Sequence, residues 1–316
     1  MNRPVNQLQG ETNEALSRIQ PELPDLEDAP LPAAVYHYTD AAGLLGILDS
    51  GALWATDYRY LNDSSELRYI FNLAAQTAES QLRSADHGPL AQEFLEYVST
   101  SLPSYGDTVY YLCCFSESDN SLSQWRAYGG RQGFSIGFPG DITFNPRLIE
   151  VPAKQGQTAG ITLLKVDYQI ERHTEYVTSL IQELIRLCDG AHMQSYSDPA
   201  LAISHITPFY FGQLERASYR FKHPDFSDER EWRLVSWGEQ TEYFRVGTTL
   251  TPYAKFHLFS ASHFNPNPEG LPLVAVRHGP TTLPDETRLA MDRLLRSHGY
   301  PADYCERRGS DTPVRL

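Results

Sequence analysis

The chain has 316 residues, with 26 basic and 40 acidic side chains and a net charge of −14. This charge argues against a protein that coats nucleic acid or an anionic membrane surface through bulk charge. The 41% hydrophobic content excludes a wholly disordered chain, and no apolar run approaches the length of a membrane-spanning helix. Because the first residues contain no apolar signal segment, we expect a cytoplasmic protein without a membrane partner.

Residues 1–31 are expected to form an acidic, flexible leader. They carry six acids against two bases, and the stretch PELPDLEDAPLP contains four prolines. A short helix is predicted over residues 11–19. The leader is a candidate docking arm for an antitoxin or regulatory partner, and residues 32–316 are predicted to form a single α+β domain.

Strand and helix patterns then alternate irregularly along the chain. Strands are predicted at AAVYHY, ALWAT, 108–116, 132–138, 161–170, from Glu231, and at 273–276. Helices are predicted from Thr39 or Asp40 to Gly51, and over 66–83, 90–102, 171–188, 200–216 and 285–298. The order lacks a regular βαβ repeat, which favours an α+β fold with a mixed, mostly antiparallel sheet and flanking helices.

Three segments combine hydrogen-bonding groups with aromatic rings, a composition suited to holding a ligand that has a ring and hydroxyls. They are YHYT with ATDYRYLND, CFSE with SQWRAYG, and KHPDFSDEREWR. Strand alternation predicts that His37 and Thr39 share one face of the sheet, and that Glu231 and Arg233 share a face. For each of these groups a structural role, as a bonded histidine or an ion pair, is the alternative to a functional one.

These segments together resemble a bacterial family known as domain of unknown function 2971. The motifs that carry the resemblance are YHYT, LWAT…RYLND, CFSE…LSQWRAYG…GFSIGF and FKHPDFSDEREWRL, over about residues 33–238. More distantly, an early strand with His-x-Thr, a central strand and a late strand opening with Glu are similar to the ADP-ribosyltransferase fold.

The second resemblance implies an enzyme that cleaves the bond between nicotinamide and ribose in NAD⁺, used as a substrate without a metal. A glutamate near the ribose would stabilise the oxocarbenium-like transition state. In this interpretation Glu231 and His37 are catalytic, and Tyr58, Tyr60, Ser116 and Tyr128 all stay open as the middle element of the signature. The residues expected to bind NAD⁺ are His37, Thr39, Tyr58, Arg59, Tyr60, Ser116, Trp125, Arg126 and Tyr128.

The expected function is therefore that of an NAD⁺-consuming, ADP-ribosyltransferase-like enzyme, a bacterial toxin or phage-defence effector that modifies nucleic acid or protein. The alternative is a non-catalytic nucleotide-sensing or protein-interaction domain of the same fold. A local arginine patch would allow a nucleic-acid acceptor despite the acidic net charge. Its candidate members are Arg277, Arg288, Arg293, Arg296, Arg307, Arg308 and Arg315.

Overall fold

The computed structural model describes residues 4–19, 30–61, 64–84, 86–100, 110–129, 132–144, 160–237, 242–246 and 250–312. The chain forms two compact units, each assembled from three segments. The helical unit comprises Met1–Glu27, Asp63–Gly106 and Asp167–Pro224, and the sheet unit comprises Asp28–Asn62, Asp107–Val166 and Asp225–Leu316. The predicted boundary at the end of the leader adjoins residues 20–29, which lie outside the described ranges.

The described α-helices are α1 (Val5–Arg18), α2 (Ala41–Ser50), α3 (Ser64–Ser84), α4 (Pro89–Thr100), α5 (Leu122–Tyr128), α6 (Ile170–Cys188), α7 (Pro199–Ser218) and α8 (Pro284–Ser297). The described strands are β1 (Ala34–Asp40), β2 (Leu53–Asp57), β3 (Tyr111–Ser116), β4 (Gly133–Pro139), β5 (Thr143–Phe144), β6 (Gly160–Lys165), β7 (Glu231–Trp237), β8 (Tyr243–Val246), β9 (Leu250–Phe256), β10 (Leu258–Phe259), β11 (Ala275–His278) and β12 (Glu306–Gly309).

The helical unit contains α1, α3, α4, α6 and α7 around its own hydrophobic core. Helix α6 illustrates how the sequence builds this core. Its apolar residues recur at helical spacing and are fully buried, as seen for Val177, Leu180, Ile181 and Leu184. Helix α1 begins at Val5, six residues before the predicted start.

One face of α1 is buried, although it belongs to the segment expected to be flexible. Leu8, Thr12 and Leu16 lie four residues apart and are at most 5% exposed. The Thr12 hydroxyl donates to the carbonyl of Leu8 at 2.9 Å. Residues 5–18 of the leader thus form a packed amphipathic helix.

In the sheet unit, ten of the described strands form one sheet in which neighbours run β12-β11-β4-β1-β3-β2-β9-β8. Strand β7 pairs with β3, and β6 pairs with β7. Strands β11 and β12 are parallel, whereas the other described pairs are antiparallel. The predicted α+β class with a mixed, mostly antiparallel sheet is confirmed.

Strand β3 is the branch point of this sheet. On one side it pairs with β7 along its whole length. On the other side it meets β1 at Ser116 and β2 at Tyr111 and Leu112. Strands β1 and β2 therefore diverge beside the middle of β3, which leaves part of its backbone to be satisfied by a side chain.

One face of the sheet, which we call the core face, carries the hydrophobic core. Val35, Phe115, Ile136 and Leu234 project from four of its strands and are at most 2% exposed. Helices α2 and α8 contribute to the same core cluster through Leu44, Ile47, Met291 and Leu295. We call the opposite side the polar face; it carries Tyr36, Ser116 and Glu231.

Helix α2 shows how local sequence positions these strands. Asp40 ends β1 and caps α2, because its Oδ1 accepts a hydrogen bond from the amide of Gly43 at 2.7 Å. Gly51 ends the helix in the left-handed conformation, with φ 60°. Both ends agree with the sequence-based prediction.

Candidate functional site

The three strands that the ADP-ribosyltransferase resemblance singles out are immediate neighbours in the sheet. Tyr36 of β1 lies opposite Ser116 of β3, and Ser116 lies opposite Glu231 of β7. His37 is the next residue along β1. The early His strand, the central strand and the late Glu strand thus meet at one end of the sheet.

Sheet register nevertheless separates His37 from Glu231. Directly paired residues project from the same face, so Tyr36, Ser116 and Glu231 occupy the polar face. His37 lies opposite Ile136 of the core and belongs to the core face. The structure therefore does not bring the two predicted catalytic side chains together on one face.

His37 fills the gap where β1 and β2 diverge. Its Nδ1 lies 2.9 Å from the carbonyl oxygen of Cys114, so Nδ1 is the protonated nitrogen that donates. Its ring contacts Phe115 edge-on, with ring centroids 5.9 Å apart. Burial lowers the pKa of His37, and the charge of Arg245 acts in the same direction, while the bond to Cys114 opposes them. The imidazole is thus held neutral at the junction of the strands.

Thr39 shares the core face with His37, as predicted from alternation. It lies opposite Phe134 in the pairing of β1 with β4. Its hydroxyl packs directly over Gly43 in the first turn of α2, where a Cβ atom would overlap it. This hydroxyl therefore packs beside the helix start.

Glu231 is held in a buried ion pair by the next residue on its own face. The Nε of Arg233 donates to Oε1 at 2.8 Å, and Nη2 donates to Oε2 at 3.0 Å. The two side chains are 5% and 2% exposed. A carboxylate bound through both oxygens is fixed in place, and removing either partner would leave a buried charge uncompensated.

The backbone that leads into Glu231 is strained. Among the described residues, Arg230 is the one non-glycine residue with positive φ, at 44°. Its carbonyl accepts a hydrogen bond from the amide of Glu117 at 3.1 Å, which anchors the turn to β3. Strain of this kind persists where surrounding contacts fix it, and it occurs often at functional sites.

Ser116, one of the candidate middle elements, ties the same turn to β3. Its hydroxyl donates to the carbonyl of Glu229 at 2.8 Å and accepts from the amide of Ser118 at 3.2 Å. The side chain is buried. In this arrangement the hydroxyl shapes the backbone around the start of β7.

Glu117 belongs to the site, although the sequence patterns did not single it out. Its Oε1 accepts from the indole Nε1 of Trp232 at 2.9 Å and lies 3.3 Å from the ammonium of Lys165. Its carboxylate has an altered pKa: burial alone would raise it, but the bonds to Trp232 and Lys165 and the charge of Arg230 outweigh burial and lower it. Glu117 is therefore an ionised carboxylate at the strand end. Glu117 is the last residue of the CFSE motif, but the face of the sheet on which it lies can be assigned only from the strand register.

Tyr58, Arg59 and Tyr60 form a short 3-10 turn after β2. Tyr58 is buried, whereas Tyr60 is 43% exposed. Arg59 is bound by the buried Asp57, with Nη2 2.6 Å from Oδ2 and Nε 3.0 Å from Oδ1. The guanidinium of Arg59, which was expected to bind NAD⁺, is thus already engaged by a carboxylate.

Helix α5 presents two of its predicted binding residues outward. Trp125 is buried, packs edge-on against Tyr38 with centroids 4.6 Å apart, and donates from Nε1 to Asn120 at 3.0 Å. Arg126 and Tyr128 are exposed. Of these predicted NAD⁺-binding residues, Trp125 therefore packs in the interior, whereas Arg126 and Tyr128 face solvent.

The arginines near the C-terminus are paired with acids. Asp119 contacts Arg277 at 3.0 Å and Arg308 at 2.6 Å. Asp292 contacts two further members of the predicted patch, at 2.9 and 3.2 Å. Arg315 lies outside the described residues. Much of the positive charge of the predicted patch is thus balanced locally.

In the described ranges, no group of three or more His, Cys, Asp and Glu side chains is arranged to hold a metal ion. Over the same residues, the helices are all too short or too polar to cross a membrane.

Residues 124–234, which are 111 of the 316 residues, match the model of a family described as Protein of unknown function (DUF2971). This stretch runs from within α5 through β4, β5 and β6, includes α6 and α7 of the helical unit, and ends within β7. The match supports the family resemblance over this part of the chain. Comparisons with curated proteins and with solved structures gave no match.

Proposed function

We propose that the sheet unit is an NAD⁺-consuming, ADP-ribosyltransferase-like enzyme whose site lies where β1, β3 and β7 meet. The observation that carries this proposal is the row Tyr36–Ser116–Glu231, which aligns the three strands of the signature at one end of the sheet. His37 adjoins this row, and the strained Arg230 precedes it. NAD⁺ is the substrate, and a nucleic acid or a protein is the acceptor, as in a toxin or phage-defence effector.

The local chemistry is compatible with this reaction. A neutral His37 offers a hydrogen-bonding edge beside the aromatic ring of Phe115. The carboxylates of Glu117 and Glu231, at the ends of β3 and β7, are the two candidates for stabilising the positive charge that develops on a ribose. Either Arg59 or Arg126 could meet the pyrophosphate of NAD⁺, and Arg59 would have to exchange Asp57 for the ligand to do so.

A second candidate function is a binding module that takes up a nucleotide without turnover. The observation that favours it is the ion pair of Glu231 with Arg233, because this pair engages both oxygens of the predicted catalytic carboxylate. The leader would then be a docking arm for a regulatory partner or antitoxin, with its described helix α1 buried on one face.

Purified protein incubated with NAD⁺ and cell lysate distinguishes the two functions. The enzyme releases nicotinamide and transfers label from NAD⁺ to an acceptor, which digestion with nuclease or protease then identifies. The binding module gives a thermal shift with NAD⁺ but no nicotinamide. If NAD⁺ neither shifts the melting temperature nor is consumed, both proposals fail.

A further inference from the structure

We propose that Glu117, and not Glu231, is the carboxylate that contacts the ribose of NAD⁺ in the proposed reaction. This inference rests on the proposed function and assigns the catalytic carboxylate within the same site. It is carried by three features of the structure: the face on which each glutamate lies, the exposure of each carboxylate, and the oxygen atoms already engaged.

Register places Glu117 on the face that carries His37. The bond from its amide to the carbonyl of Arg230 continues the pairing of β3 with β7 by one residue beyond Ser116. Alternation then puts Glu117 on the core face with Phe115. The bond from the Trp232 indole confirms this, because Trp232 lies opposite Phe115.

Strand register places His37 and this carboxylate near each other along β3. Its ring contacts that of Phe115, and Glu117 is two residues farther along the same strand, a step of about 7 Å. A ribosyl-nicotinamide group spans a distance of this order. Glu231, by contrast, projects from the polar face, so one such group cannot meet both His37 and Glu231.

Exposure and hydrogen bonding both make Glu117 more accessible to a ligand than Glu231. The Glu117 side chain is 28% exposed, and that of Glu231 is 5% exposed. Trp232 and Lys165 both contact Oε1 of Glu117, and among the described residues no contact is made to Oε2, so Oε2 can accept a bond from a sugar hydroxyl. Arg233 occupies both oxygens of Glu231.

The reaction assigned to this carboxylate balances as follows. The bond between ribose C1′ and the pyridine nitrogen breaks, its electron pair goes to that nitrogen, and neutral nicotinamide leaves. The Glu117 carboxylate stabilises the positive charge on the ribose. Water or an acceptor hydroxyl forms the new bond to C1′, and its proton passes to Glu117 and then to solvent.

Trp232 and Lys165 are positioning residues in this arrangement. The indole N–H fixes Oε1 at 2.9 Å, and the ammonium lies both 3.3 Å from that oxygen and 5.6 Å from the indole ring centroid. Together they orient the carboxylate through that oxygen. A side chain held at one oxygen only is preorganised and still able to bind.

Four variants test the assignment: Glu117→Gln, Glu117→Asp, Glu231→Gln, and Glu79→Gln as the matched control. Gln at position 117 still offers an oxygen to Trp232, which protects the fold, and Asp keeps the charge but withdraws it by one methylene. Glu79 is an exposed helix residue that pairs with Arg83 at 3.5 Å. For each variant the melting temperature, the folded fraction and the kcat and KM for nicotinamide release are measured.

We expect Glu117→Gln to lower kcat per folded molecule by about 100-fold or more, with little change in KM and a near-normal melting temperature. The kcat of Glu117→Asp should lie between that of Glu117→Gln and that of the wild type. The kcat loss of Glu231→Gln, corrected for its folded fraction, should be at least about tenfold smaller.

An active wild type whose Glu117→Gln variant keeps a kcat close to that of Glu79→Gln would overturn the assignment and leave the proposed function intact. A larger loss in Glu231→Gln would return the role to Glu231. A wild type that releases no nicotinamide overturns both.

Discussion

Two glutamates at neighbouring strand ends differ in what surrounds them. Glu231 is held through both oxygens by Arg233, while Glu117 is held through one oxygen and is partly exposed. Alternation along β7 correctly predicts that Glu231 and Arg233 share a face, which also allows the ion pair between them. Residue type alone could not rank the two carboxylates, because their access depends on the pairing of β3 with β7.

The hydrogen-bond partner of His37 also depends on how distant strands pair. The sequence predicted its strand and its face, and the structure adds the partner, the Cys114 carbonyl, which is available because β1 and β2 diverge. A branch in a sheet follows from long-range pairing and leaves no periodic signal in a single strand.

The lowered pKa of His37 predicts a specific pH dependence of stability. The unfolded chain takes up a proton near its ordinary pKa, about 6.5, whereas the folded chain takes it up only at lower pH. Since the unfolded state then binds more protons, the free energy of unfolding decreases as pH falls below about 6.5. Urea unfolding at several pH values between about 7.5 and 5.5 should show this loss.

The variant His37→Gln isolates this contribution. Gln keeps an N–H donor for the Cys114 carbonyl but does not titrate, so its stability should decline less over the same pH range. His298, whose raised pKa acts in the opposite direction, is present in both proteins and cancels in the comparison. Parallel pH profiles for the two proteins would contradict a lowered pKa at His37.

At the scale of elements, the long helices and the strongly apolar strands were predicted well, whereas the short helix α5 and the polar or interrupted strands were missed. Strand β12, with the sequence ERRG, pairs in parallel with β11, and its charged residues give no hydrophobic alternation. Strand β9 contains Pro252, a residue that ordinarily interrupts a strand. The structure accommodates it where β9 pairs with β8 alone, since the pairing with β2 begins at Tyr253.

The end of α2 offers a test at this scale. Gly51 has φ 60°, and a Cβ atom there would overlap the carbonyl oxygen of Glu269. Both the left-handed conformation and the overlap penalise a side chain, so Gly51→Ala should lower the free energy of unfolding by about 2 kcal/mol or more. Urea denaturation measures the change.

Gly10 provides the matched control for this substitution. It lies inside α1, and apart from its chain neighbours and the adjoining helix backbone, no atom of the described residues comes within 4 Å of the place that an alanine methyl group would take. Gly10→Ala should therefore stabilise the protein by about 0.5–1 kcal/mol through helix propensity. A Gly51→Ala protein as stable as the Gly10→Ala protein would refute the close approach of Glu269.

At the scale of the whole molecule, the chain passes back and forth between two units that each have a separate core. The sequence predicted a single domain after the leader because no linker of unusual composition separates the segments. Segments of one unit are joined through segments of the other, so composition along the chain carries no mark of the division. Only long-range contacts reveal it.

Separate cores predict that the two units respond differently to core substitutions. Leu180 of α6 and Leu234 of β7 are both fully buried, each within its own cluster. Replacing either by Ala should cost about 2–5 kcal/mol, since each leaves a cavity of similar size. Hydrogen exchange followed by mass spectrometry reports where that loss appears.

We expect Leu180→Ala to accelerate amide exchange first in α3, α4, α6 and α7, and Leu234→Ala to accelerate it first in β1, β3 and β7. Local opening follows the contacts that a substitution removes, and those contacts lie within one cluster in each case. If both variants instead raised exchange equally in all these elements, the two cores would unfold as one cooperative structure. In that case a substitution in the helical core would also lower the stability of the strands that hold His37 and Glu117.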